Sequence, residues 1–288
     1  MNSKKTKYLI VSPVKNEELY VEKTLLSVVN QTLTPSLWLI IDDGSTDRTQ
    51  EIIEKYSKEY DFIKIDVSRT SGERKLAFAE VMAFNYGYQR VKENNFDYIV
   101  KLDCDLSFGK NYFNDLINEF EKDKTLGIAS GVYYEKKNSE WDEVVMPYYH
   151  AAGASKVIRK NCFIDIGGFI PAPGWDTVDE IKAMYRGWKT RHFRHIQMKH
   201  LKPEGSSIGA FRNSVMQGKA YFMSGGSLTF FVIKVAKRLI DSFDIASCIG
   251  HFIGYMKAVV RNTEKLVTME EERLYRRLLK GRLRNIFK

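Results

Sequence analysis

Over the first 130 positions, apolar residues come alternately in short runs and at helical spacings. "KYLIVS" (7–12) is a run of strand length that stops at Pro13, and "EELYVEKTLLSVVNQ" (17–31) follows with Val21, Leu25 and Val28 on one helical face. "LWLII" (37–41) reads as a second strand, ended by "DDGS", and Ser45 or Asp47 can cap a helix that runs to about Tyr60. "DFIKIDV" (61–67) is a third strand. Residues 72–94 read as a long helix with Leu76, Val81, Phe84 and Tyr88 on one side. "FDYIVKL" (96–102) is a fourth strand and "YFNDLINEF" (112–120) a helix after it. Strands that alternate with helices predict an α/β fold, with a mostly parallel sheet covered by helices on both faces.

From about 131 to 212 the pattern turns irregular and is dense in Gly, Pro and aromatics, as in "GGFIPAPGWDTVDE". Loops of that kind cover sites more often than they build cores. Beyond about Ser214 the spacing is helical again, with "FFVIKVAKRLIDSF" and "EEERLYRRLLKGRLRNIF" amphipathic. The division this suggests is a catalytic domain over 1–212, made of a nucleotide-binding half (1–131) and an acceptor-side half (132–212). A basic helical extension over 213–288 follows it.

Open α/β sheets bind ligands at the carboxyl ends of their strands. Three polar clusters fall there: "SPVKNE" after the first strand, "DDGSTD" after the second and "DCD" after the fourth. Neither GxGxxG nor GxxxxGK[ST] is present, which disfavours a dehydrogenase-type dinucleotide fold and a P-loop. Asp103 and Asp105, one residue apart at the end of a buried strand, can share a hard cation such as Mn²⁺ or Mg²⁺, or divide between a cation and a sugar hydroxyl. The bland reading of "DDGS" is a turn and a helix cap. Cys104, between the two acids, points the other way and reads as a buried small hydrophobe. Three scattered cysteines make neither a disulfide framework nor a zinc site, so a reducing compartment is expected.

The segments "YLIVSPVKNEELYVEKTLLSVVNQTL", "LWLIIDDGSTDRTQEII" and "DYIVKLDCDLSF" together resemble the inverting family 2 glycosyltransferases, which have the GT-A fold, a Rossmann-like α/β sheet. The likeness covers about residues 7–131, with a looser echo in "GGF" (167–169), "WDTVDE" and "RGWKTR". It implies a transferase that takes a sugar from a nucleotide-diphosphate sugar, with a glycan or lipid-linked saccharide as acceptor. By the same resemblance Pro13, Lys15 and Glu17 line the base and ribose, and Asp43 reads the base while Asp42 fixes its loop. Lys75, with Arg74 as a rival, lies near the diphosphate. Asp103 meets the ribose or sugar, and Asp105 binds the metal. His200 stands where some family members carry a further metal or diphosphate ligand, although a lone histidine is more often structural.

Inversion needs a base for the acceptor hydroxyl, and a carboxylate is the usual one. The family's acid precedes a helix as Glu-Asp, whereas this chain has Asp176, Asp179 and Glu180. Asp179 is preferred because "VDEIKAMYRG" would open a helix and place an acid at its positive end, with Asp176 next. An already ionised polyprenyl-phosphate acceptor would need no base. Trp175 and Trp188 either stack an acceptor sugar or pack.

The chain's formal charge of +9 is uneven. From Lys257 to Lys288 ten Lys/Arg face four Glu, a surplus of six. Such a tail suits an anionic membrane surface, or it is a solvated helical face docked on the catalytic domain or on another copy in a homo-oligomer. No apolar stretch reaches the roughly 18 residues of a spanning helix, and the N-terminus lacks a signal-peptide core. The expected location is cytoplasmic, peripheral at the inner face of the membrane. No RNA- or DNA-binding motif accompanies the charge, so nucleic acid is not an expected partner. The alternatives to an enzyme are a basic nucleic-acid-binding protein built on an α/β sheet and a non-catalytic sugar-nucleotide sensor.

Overall fold

Strand β1 (Tyr8–Val14) lies at the centre of the parallel half of a sheet, between β2 (Leu37–Asp42) and β4 (Tyr98–Leu102), with β3 (Ile63–Val67) outside β2. The computed structural model describes residues 6–68, 78–137, 139–202 and 209–286. Beyond β4 the sheet becomes mixed. It continues through β8 (Ser155–Arg159), β6 (Leu126–Lys137), β9 (Lys189–His200) and β5 (Leu106–Phe108), while β7 (Glu140–Glu143) pairs with β6. The first strands fall where the apolar runs place them, because each is buried on both faces and reads as a continuous apolar run. The region read as irregular instead holds β6 and β9, each twelve residues long.

Alternation along the strands supplies two cores. Tyr8, Ile10, Trp38, Ile40 and Val100 pack in a cluster that includes Val21 and Leu25 of α1 (Val21–Val29), Ile53 of α2 (Thr49–Glu59) and Phe113, Leu116 and Phe120 of α4 (Tyr112–Lys122). On the opposite face, Val11 and Ile41 meet Gly87 of α3 (Ala79–Val91) so closely that a Cβ there would stand 2.7 Å from Val11 Cγ1. Phe84 and Tyr88 of α3 make edge and tilted ring contacts with Phe163 of α5 (Lys160–Asp165) and with Phe169.

The chain divides into two units. The first gathers the described residues of 1–74, 79–169 and 187–203, and so holds the whole sheet; the second gathers those of 75–78, 170–186 and 204–288. The second unit comprises α6 (Trp175–Tyr185), α7 (Ala210–Met223), α8 (Leu228–Ser242), α9 (Ile245–Val260) and α10 (Met269–Ile286). Val178 and Ile181 of α6 pack with Phe230, Val267, Tyr275 and Leu279 in its core. Helices α7 and α9 cross at glycines: a Cβ on Gly254 would lie 1.9 Å from the Val215 carbonyl oxygen, and one on Gly218 2.0 Å from that of His251. The expected helical character of the C-terminal region holds, and α6 joins it in this second unit.

Candidate active site at the carboxyl ends of the strands

The loops that leave β1 and β2 are stitched together by side chains. Asn16, at φ 53°, takes up the left-handed conformation that asparagine tolerates. Its backbone N–H donates to Ser45 Oγ at 3.0 Å, and its Oδ1 accepts from the Thr46 N–H at 2.8 Å. The Glu17 N–H donates to Thr49 Oγ1. Asp42 is buried and accepts both the N–H and the hydroxyl of Ser45, at 2.8 and 2.7 Å, which closes the turn. Asp43 is half-buried beside it and accepts from Ser68 Oγ at 3.1 Å. Asp47, one residue ahead of the α2 cap, accepts from the Thr49 N–H. "DDGS" is therefore a turn whose first acid is spent on backbone geometry. Pro13 lies within β1, paired with Ile41, and Lys15 follows the strand's last residue, Val14.

The two acids after β4 have different partners. Asp103 Oδ1 is 2.6 Å from Lys101 Nζ, whose side chain is 1% exposed and whose other acidic neighbour, Glu80 Oε2, lies at 3.7 Å. Burial pushes Asp103 upward in pKa, as do the charges of Glu80 and Asp105, while Lys101 opposes them. Asp105 Oδ2 is 3.3 Å from His200 Nε2, and His200 Nδ1 is 3.3 Å from Glu135 Oε1. Burial by itself would keep His200 neutral, but the Asp105 bond and the charges of Asp105, Asp103 and Glu135 outweigh it and raise the imidazole to about 9. The backbone fixes this meeting, since Leu106 stands opposite His200 across β5 and β9, and the Leu201 N–H donates to the Asp105 carbonyl. Glu17 completes the cluster: its Oε1 holds Lys202 Nζ at 2.5 Å, and burial raises its pKa.

Two buried oxygens in this cluster, Asp105 Oδ1 and Glu17 Oε2, have no hydrogen-bond partner among the described residues. A buried carboxylate oxygen left unpaired is costly, and a cation would relieve that cost. No group of three His, Cys, Asp or Glu among the described residues is arranged to hold a metal by itself. The donor set is one that Mg²⁺ or Mn²⁺ accepts nonetheless: these ions commonly take one or two protein ligands and complete their shell with phosphate oxygens and water. Asp105 and His200 could supply two ligands, with Glu135 positioned to orient the imidazole as an outer-shell carboxylate would.

Asp176 and Asp179 belong to the second unit. Helix α6 begins at Trp175, after Gly174 in a left-handed conformation, so Asp176 occupies its first turn and the buried Asp179 its second. The argument that put Asp179 at the positive helix end therefore applies to Asp176. Lys75 and Arg74 fall outside the described residues. Trp188 packs against Gly127 and donates from Nε1 to Asp165, and Trp175 is buried, so both indoles pack. Cys104 is buried and burial raises its thiol, as a core residue requires. Lys101, Glu80, Glu135 and Lys202 escape a sequence reading. Lys101 alone carried a signal, a lysine inside a buried strand two residues from an aspartate. Glu135 reaches His200 only through the parallel register of β6 and β9.

Comparison with known proteins bears on the family and the fold. The model of Glycosyl transferase family 2 matches residues 9–172, more than half of the chain. A poly-β-1,6-N-acetyl-D-glucosamine synthase of Staphylococcus aureus is 31% identical over 204 residues, which is 64% of this chain and 45% of that protein. The synthase of Staphylococcus epidermidis is 31% identical over 116 residues, 40% of this chain and 26% of that protein. The chain thus spans less than half the length of these relatives. Among solved structures, the mannosyltransferase PcManGT of Pyrobaculum calidifontis, in complex with GDP-Man and Mn²⁺, aligns at TM-score 0.58 and 12% identity, over 99% of this chain and 82% of its own. Residues 1–349 of S. aureus TarS, in complex with UDP-GlcNAc, align at TM-score 0.52 and 17% identity, over 93% and 78%. These likenesses place the fold among GT-A glycosyltransferases. With the family model matched over more than half of the chain, the chain belongs to glycosyltransferase family 2.

Proposed function

We propose that the chain is an inverting, metal-dependent glycosyltransferase that moves a sugar from a nucleotide-diphosphate donor to a hydroxyl of a glycan or lipid-linked saccharide. The observation that carries this reading is the orphaned, buried Asp105 Oδ1 beside His200, at the strand ends where such sheets bind ligands. The relatives' names and the TarS complex favour UDP-N-acetylglucosamine as the first donor to test, and the PcManGT complex favours Mn²⁺.

A cation held by Asp105 and His200 would supply neutralisation of the charge that develops on the departing diphosphate. The remaining work falls to the chain's own groups. Pro13, Lys15, Glu17 and Asp43 line the nucleoside, with Asp42 fixing the turn, and the family resemblance assigns the diphosphate to Lys75, which lies outside the described residues. Asp103 accepts a hydrogen bond from a ribose or sugar hydroxyl. Asp179 or Asp176 takes the proton of the acceptor hydroxyl. As the acceptor oxygen bonds to one face of the anomeric carbon, the bond to the diphosphate breaks on the other. The cationic C-terminal region suits a peripheral place at the inner face of the membrane, and no helix among the described residues is long and apolar enough to cross one.

A thermal-shift screen of nucleotide sugars with and without Mn²⁺ tests the donor side. The expected result is stabilisation by one nucleoside diphosphate sugar that requires the metal and vanishes in Asp105→Asn. Stabilisation indifferent to metal, or by no nucleotide sugar, would overturn it. Asp179→Asn and Asp176→Asn, made separately, should leave donor binding intact, and one of them should abolish transfer.

A further inference from the structure

Helices α8 and α9 carry large apolar side chains on the outside. On α8, Leu228, Val232, Leu239 and Ile240 are exposed; on α9, Ile245, Ile249, Phe252 and Val260 are exposed. At about 100° per residue, the α8 set and its partly buried neighbour Val235 fall within an arc of roughly 140° that contains no charged residue. The α9 set, with Met256 and Val259, falls within a charge-free arc of roughly 100°. The inward faces are already satisfied. Phe230 and Phe231 of α8 are buried, and α9 turns Ser247, Gly250, Gly254 and Ala258 inward. Each helix thus has a complete inner face and a second, outward apolar one.

The edges of both arcs are cationic. Lys237 and Arg238 flank the α8 arc on either side, and Lys257 and Arg261 lie along one edge of the α9 arc, all four exposed. Between the helices stands Phe243, 80% exposed and held at φ 50° in a left-handed conformation. A bulky aromatic rarely adopts that conformation, because its Cβ crowds the backbone. Its backbone N–H caps α8 by donating to the Leu239 carbonyl at 3.0 Å, a role glycine or asparagine fills without strain, while the ring itself gains no burial.

We infer that the α8–α9 hairpin is a membrane-docking element, which lays its two apolar arcs and the Phe243 ring into the interfacial region of an anionic lipid surface. Apolar arcs edged by Lys and Arg are the pattern of helices that lie in a bilayer interface, and anionic headgroups complement the rims. A second copy of the chain is the poorer occupant. Pairing two such faces would bring Lys237, Arg238, Lys257 and Arg261 of both copies together. The inference depends on the proposed function only for the choice of an anionic surface, and it moves the contact away from the charge of α10. That helix packs Tyr275 and Leu279 inward and opens with Glu270, Glu271 and Glu272.

The test is flotation of the full chain with phosphatidylcholine vesicles and with vesicles in which a third of the lipid is phosphatidylglycerol. The chain should bind the anionic vesicles, and Ile249→Ser with Phe252→Ser should weaken binding at least about tenfold at an unchanged melting temperature. Phe243→Asn is the control for folding, since asparagine suits the left-handed turn. It should melt no lower than the parent and still bind several-fold more weakly. Arg277→Glu with Lys280→Glu, on the exposed side of α10, should cost less than about threefold. Failure of the parent to bind anionic vesicles would overturn the inference. So would parent-like binding by both apolar variants, or a dimer in solution that these variants dissociate. Metal-dependent donor binding, measured on the same variants, reads the enzymatic proposal separately.

Discussion

Lys101 is the residue whose replacement tests the electrostatics of the site most directly. It lies on a central strand with its side chain 1% exposed, 2.6 Å from Asp103 and 3.7 Å from Glu80. Burial on its own would discharge the amine, but Asp103 and Glu80 hold its pKa well above the usual lysine value. Directly opposite on β8 sits a second buried lysine, Lys156. Lys101→Met keeps the length of the stem and removes the charge. Removing one partner of a fully buried pair costs about 3–5 kcal/mol, because the other charge is left uncompensated.

Two features reduce that figure here. Asp103 keeps 23% of its side-chain surface and Glu80 46%, so water recovers part of the loss. Relief of the repulsion from Lys156 recovers more. The expected cost is about 2–3 kcal/mol, or roughly 5–10 °C in melting temperature for a chain of this size. Urea denaturation of the parent, Lys101→Met, Asp103→Asn and the double variant would measure it as a cycle. The double variant should be less destabilised than the two single costs added together, by about 1–2 kcal/mol of coupling. A loss under about 0.5 kcal/mol in Lys101→Met, or additive single effects, would refute the view that this pair is held as an ion pair.

Other consequences are as direct. Asp105→Asn and His200→Ala should each weaken Mn²⁺ binding, followed by calorimetry in the presence of a nucleoside diphosphate, by about ten- to a hundredfold or more. Asp105→Asn should lower the melting temperature of the metal-free protein at neutral pH, because it removes the carboxylate that holds the His200 imidazolium. Gly254→Ala should destabilise the second unit by about 2–4 kcal/mol, since its methyl group would stand 1.9 Å from the Val215 carbonyl oxygen and force α7 and α9 apart. His251 lies buried in that unit, with Nδ1 2.7 Å from the Ser247 carbonyl and Arg238 near Nε2. Burial, with Lys234 and Arg238, lowers its pKa, so the unfolded chain binds the proton more readily than the folded one. Stability should therefore fall as pH drops through about 6.5, and this slope should be shallower in His251→Gln.

The elements legible in the sequence are those whose physics is local. Strands β1, β2 and β4 are buried on both faces, so they read as apolar runs, and the polar clusters that stop them are the loops of the site. Strands β6 and β9 escaped for the opposite reason. The sequence of β9, "KTRHFRHIQMKH", alternates buried and exposed positions imperfectly, and its pairing with β6 changes register between Gly131 and Val132. A run without period reads as loop until its partner strand, sixty residues away, is known. The start of α6 was misplaced because Gly174 turns the chain into the helix at Trp175, ahead of the residue that looked like its first acid.

The division of labour between Asp103 and Asp105 rests on both kinds of information. Lys101 and Asp103 are two residues apart on an extended chain, so they share a face, and their pairing follows from local geometry. His200 reaches Asp105 only because β5 runs antiparallel to β9 and lays Leu106 against it. A carboxylate already neutralised by a buried lysine is the weaker cation ligand. One that faces an imidazole and keeps an unpaired oxygen is the stronger. The lysine inside the strand therefore does more than balance charge: it makes the two acids of one short motif chemically unlike.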